Sequence, residues 1–126
     1  MTMDSRPQDK SVIDRETSLR RLGGDEHLLA KLAAFFLEDA PEVMRQLGDA
    51  HLSGDCKVVA HRAHSLKGLS ATFEAITFQK LADEIESLAV AGEDLQINHR
   101  IIELKTEYDR LVAQLQLLVH SITSGP

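Results

Sequence analysis

A single cysteine, Cys56, no tryptophan and one tyrosine mark a chain that lacks the usual large fixtures of a small domain. One thiol cannot form an internal disulfide, which agrees with a reducing compartment. Its neighbour Lys57 is the sole evident activator, so Cys56 reads as a passive small residue rather than a reactive thiol. No apolar run approaches the roughly 20 residues of a membrane span. The best candidate, "LLAKLAAFFLEDA", is broken by Lys31 and ends in acids. The polar start "MTMDSRPQDK" has no apolar stretch of the kind a signal peptide carries. Positive charge is also scarce: 14 Lys and Arg against 20 Asp and Glu leave a net −6, which gives a nucleic-acid partner no electrostatic support. There is no Gly-rich nucleotide-binding pattern, so the chain is not expected to phosphorylate itself from a nucleotide. Alternating β-branched runs and hairpin turn pairs are missing too, which argues against a sheet.

Helical periodicity is present throughout. Residues 1–10 are polar, contain Pro7, and are expected to be a flexible segment; a folded domain over 11–122 and a short tail over 123–126 complete the division. "VIDRETSLRRL" predicts a short helix using Ile13, Leu19 and Leu22, stopped by Gly23 and Gly24. Asp25 then begins a helix with acids in its first turn, where the helix dipole favours them. The spacing of Asp39 and Glu42 around Pro41 matches a capping box, so Pro41 is expected to kink or restart this helix on its way to Leu52. Gly54 and Asp55 suit a helix end and a new cap. Further helices are expected over about 56–72, 75–91 and 94–121. In the last of these, Ile97, Ile101, Leu104, Tyr108, Leu111, Leu115, Leu118 and Ile122 step by fours and threes, as in a helix packed lengthwise on near-parallel neighbours. Short loops make neighbours antiparallel. The expected fold is all-α: an up-down-up-down antiparallel four-helix bundle with a short extra N-terminal helix.

The helix from Cys56 has two unlike faces. Val59, Ala63, Leu66, Ser70 and Phe73 form a core stripe. Lys57, Ala60, His61, His64, Lys67, Gly68 and Ala71 form another, with imidazoles, ammoniums and small residues. Gly68 costs a helix interior about 1 kcal/mol relative to alanine, which points to close approach by another backbone or another molecule. With a turn centred near Ala75, His64 and Glu86 each lie eleven residues away and sit at one height. Glu86 can then accept a hydrogen bond from Nδ1–H of His64, leaving Nε2 unprotonated and outward. Lys67 can neutralise a phosphoryl group on that nitrogen, and Asp83, at its own height, can restrain Lys67.

"AHSLKG" followed by "SATFEA" resembles the A-H-x-L-K-G signature of histidine phosphotransfer domains, the carriers of two-component phosphorelays. "RLGGDEHLLAKLAAFFLEDAPEVMRQL" is similar to that family's second helix, and the likeness covers roughly residues 12–120. It implies His64 as the phosphorylated histidine, Lys67 as the lysine touching the phosphoryl group, and Gly68 as the glycine that admits a receiver domain. Glu86 falls where the family has Gln or Glu beside the ring, and Ala60, His61, Ala71 and Lys57 fall on the partner-binding face. Glu74 stands where the family usually has glycine, so either a turn is made by a residue that disfavours positive φ or the helix ends differently. The implied function is a phosphoryl carrier, with response-regulator receiver domains as partners and a hybrid sensor histidine kinase as upstream donor. No cofactor is implied, Mg²⁺ being expected only in the partner receiver. A monomer is expected, with no membrane contact of its own, located in the cytoplasm or at the cytoplasmic end of a larger membrane-bound hybrid kinase.

Two other readings compete. One takes the bundle as a docking module that carries no phosphate, against which the presence of His64, Lys67, Gly68 and an acid at 86 argues together. The pair His61 and His64, with His51 or His27, offers a metal site, but no carboxylate or Cys sits at ligand spacing and Lys67 would repel a cation.

Overall fold

The computed structural model describes residues 12–124, all helix and short connections. The expected flexible segment 1–10 and the end of the expected tail lie outside them. Five helices follow in order: α1 Arg15–Arg21, α2 Glu26–Leu52, α3 Cys56–Ala71, α4 Ile76–Ala91 and α5 Asp94–Thr123. α2 packs on α3, α3 on α4, α4 on α5 and α5 back on α2, closing an antiparallel four-helix square to which α1 is an addition. The expected fold class is the observed one.

Local signals set the boundaries. Asp14, Asp25 and Asp55 each cap a helix by accepting from the backbone N–H three residues on, at 3.2, 3.0 and 3.2 Å. Gly92 takes the left-handed conformation at the end of α4, with φ 75°. Each of three expectations needs correction. α1 begins only at Arg15, because Val12 and Ile13 leave the helix pattern and plunge into the core, both 2% exposed. α2 is continuous through Pro41, and Glu42 bonds Arg45 and Gln46 instead of capping. Pro41 lies on the exposed face, where water can reach the carbonyl its missing N–H leaves free. α5 continues to Thr123, into the expected tail.

The core stripe of α3 is as read: Val59, Ala63, Leu66, Ser70 and Phe73 are all buried. Phe36 of α2 is its aromatic centre, edge-on to Phe73 at 5.9 Å and to Phe78 at 6.4 Å. Truncating such a residue to alanine costs about 3–5 kcal/mol. This cluster lies under the α3–α4 turn, and α1 ties the turn down: Asp14 N–H donates to the Phe73 carbonyl at 3.0 Å. Glu74 makes the turn with φ 53°, the left-handed geometry that a side chain disfavours. Its carboxylate lies 2.9 Å from Arg21 Nη1 of α1, close enough for an ion pair though not aligned as a hydrogen bond. The first of the two expectations for Glu74 is therefore the right one, and the turn centre near Ala75 stands.

Candidate functional site: one histidine between two helices

His64 sits in mid-α3, its side chain 66% exposed. The backbone rise brings it level with Glu86 of α4, and Nδ1 lies 3.2 Å from Oε2 and 3.4 Å from Oε1. Glu86 is held below the usual carboxylate range, chiefly by the hydrogen bond from Lys67 and also by that from His64, against the effect of partial burial. An ionised carboxylate only accepts, so the hydrogen in this contact belongs to Nδ1. In the neutral ring the lone pair is then on Nε2, the nitrogen turned away from Glu86.

Lys67, one turn further along α3, reaches the same carboxylate. Its Nζ donates to Glu86 Oε1 at 3.0 Å and to Asp83 Oδ1 at 2.8 Å. The Asp83 and Glu86 hydrogen bonds raise the Lys67 pKa above its ordinary value, so the ammonium is charged throughout the neutral range. The Lys67–Asp83 pairing was legible from equal distances to the turn. The Lys67–Glu86 contact was not, since it depends on how far a flexible side chain leans back toward the preceding turn.

Gly68 is exposed, and a Cβ built on it would meet nothing within 4 Å. The glycine is thus not required by the interior packing of this chain. It borders an open groove of about 680 Å³ between α2 and α3, lined by Asp39, Glu42 and Val43 on one side and by Ser65 and Leu69 on the other. Of the remaining residues on this stripe, Lys57 and His61 are exposed and Ala60 and Ala71 half-buried, so the stripe forms one surface running past His64. No three His, Cys, Asp or Glu side chains group as a metal site would require among the described residues. Cys56 lies beside Asp94, Sγ to Oδ1 at 3.6 Å, and burial together with that acid pushes its thiol up, away from reactivity.

Compared with known families, residues 31–122 match the Hpt domain. The chain belongs to the Hpt family. Its role is accordingly in histidine phosphotransfer within phosphorelays. Among solved structures, it resembles the crystal structure of histidine-containing phosphotransfer protein B (HptB) from Pseudomonas aeruginosa PAO1. That match has a TM-score of 0.77 and 24% identity over 90% of this chain and 96% of the other, a likeness of fold. The comparison with curated proteins gave no match. No described helix of this Hpt domain is long and apolar enough to cross a membrane.

Proposed function

We propose that this Hpt domain accepts a phosphoryl group on Nε2 of His64 from a receiver-domain aspartyl phosphate and passes it to a second receiver. The observation that carries this reading is an exposed imidazole whose Nδ1 is engaged by an ionised Glu86, leaving the Nε2 lone pair free. In the forward step that lone pair forms the N–P bond while the P–O bond to the receiver aspartate breaks, and the aspartate leaves as a carboxylate. Nδ1 keeps its hydrogen, so the phosphorylated ring is cationic and Glu86 balances it. Lys67 supplies positive charge for the phosphoryl oxygens. Onward transfer is the same exchange in reverse with a different aspartate.

The receiver docks over His64, Lys67, Gly68 and Ala71 and along the small-residue surface of Ala60, His61 and Lys57. It brings the Mg²⁺ that its own aspartyl chemistry needs. The carrier works as a monomer in the cytoplasm, fed by a hybrid sensor histidine kinase, and has no autokinase activity. The test is transfer of radiolabel from a phosphorylated receiver. His64→Gln is expected to abolish labelling while melting as the parent does, because the side chain it replaces is exposed. If His64→Gln still accepts label and His61→Gln does not, the reading of the site is wrong.

A further inference from the structure

Asp83 is the acid of this site that does not touch the histidine. It lies on α4 one turn before Glu86, its side chain 60% exposed, and holds Lys67 Nζ at 2.8 Å. Glu86 holds the same ammonium at 3.0 Å. One positive charge therefore faces two negative ones, and the trio is net negative before any phosphoryl group arrives. Glu86 Oε1, the atom Lys67 shares with His64, lies on the Nδ1 side of the ring, whereas the phosphoryl group attaches at Nε2. Asp83 lies further along toward the α3–α4 turn, so a movement of Nζ toward phosphoryl oxygens on Nε2 draws it away from Asp83 and weakens that contact.

We infer that Asp83 is a positioning residue that competes with the phosphoryl group for Lys67 and so keeps the phosphohistidine easy to discharge. The inference rests on His64 as the phosphoacceptor. A carrier that must give its cargo away gains from such a competitor: a fully committed lysine would stabilise the N–P bond and shift phosphate toward the carrier. Because Asp83 is exposed and reaches Lys67 at the surface, its removal leaves the core intact.

The experiment needs no receiver. Phosphoramidate is a small phosphodonor: its P–N bond to ammonia breaks as the bond to Nε2 forms, and ammonia leaves. At a fixed ratio of phosphoramidate to ammonia, the ratio of loaded to free protein, read by intact mass and phosphorus NMR, reports the stability of the phosphohistidine itself. Asp83→Asn is expected to raise that ratio about two- to fivefold, the range carried by an exposed ion pair. In a Lys67→Ala background the same substitution is expected to change nothing, since the effect passes through the ammonium. An unchanged or lowered ratio in Asp83→Asn would mean that Asp83 instead prepares Lys67 for the phosphoryl group. An equal rise in the Lys67→Ala background would make Asp83 a general negative charge rather than a competitor. Either result overturns the inference. Loading of His64→Gln at the parent level, mapped to another histidine by peptide mass analysis, would overturn the phosphoacceptor reading instead, a failure distinct from both.

Discussion

Gly68 lets the demands of folding and of docking be measured apart. In the interior of a helix, glycine is about 0.8–1.0 kcal/mol less favourable than alanine. That penalty is often offset by a clash the side chain would make, but here an added Cβ meets nothing within 4 Å. Gly68→Ala is therefore expected to stabilise the protein by nearly the full propensity difference, raising Tm by roughly 3–6 °C for a domain of this size. Gly68→Gln is expected to gain somewhat less, since Gln ranks a few tenths of a kcal/mol below Ala. Its longer side chain stands one helical turn from His64, about 5–6 Å between neighbouring Cβ positions, on the surface proposed for receiver docking.

Transfer from a phosphorylated receiver is expected to fall at least about a hundredfold in Gly68→Gln, equivalent to losing roughly 3 kcal/mol of docking. Loading by phosphoramidate is expected to be unchanged, because a small donor needs no docked surface. Thermal melting by circular dichroism, label transfer and chemical loading read the three effects independently. A Gly68→Gln protein that is more stable and transfers at the parent rate would refute the close-approach explanation. A protein that is less stable would refute the reading of Gly68 as free of internal packing.

Lys67→Ala is expected to slow label transfer about ten- to a hundredfold, the worth of one charge-assisted phosphate contact, with little change in melting. Glu86→Gln is expected to keep most of the transfer rate, because its amide oxygen still accepts from Nδ1, whereas Glu86→Ala lowers it and shifts the His64 tautomers seen by nitrogen NMR. The Glu86 carboxyl is held below its unfolded value, so its hydrogen bonds add stability that is complete above the ordinary Glu range near about 4.3 and vanishes as pH falls through the folded value. The melting difference between the parent and Glu86→Gln should therefore shrink on acidification from about pH 6 to about pH 3; a constant difference would sever the carboxyl from its partners. At the turn, Glu74→Gly sheds backbone strain and loses the Arg21 ion pair, whereas Glu74→Ala loses the pair and keeps the strain. Glu74→Gly is thus expected to be the more stable of the two by about 1 kcal/mol in urea unfolding, and equal stabilities would deny the strain.

What could be read from the sequence, and what could not, divides along a physical line. Helix existence and the core stripe of α3 follow from periodicity, and the His64–Glu86 and Lys67–Asp83 pairs follow from counting to a turn, because two rigid antiparallel helices convert sequence separation directly into height. Pro41 does not restart α2, because the cost of a missing N–H depends on whether the freed carbonyl faces water, which the local sequence does not state. Glu107 is a buried acid that periodicity does not announce: it is 5% exposed, with one carboxylate oxygen 2.9 Å from Arg110.

Glu74 carries the same lesson in a different form. At the turn, the strain of Glu74 is offset by a residue more than fifty positions earlier, and only the docking of α1 on the turn reveals that partner. At the site itself, Lys67 illustrates why charge can be located but not apportioned from sequence. Asp83 at its own height and Glu86 one turn further along α4 each hold its ammonium, but only Glu86 also holds the histidine. That asymmetry arises from where a four-carbon stem comes to rest. It distinguishes Glu86, whose charge is tied to the ring, from Asp83, whose charge bears on the ring only through the lysine.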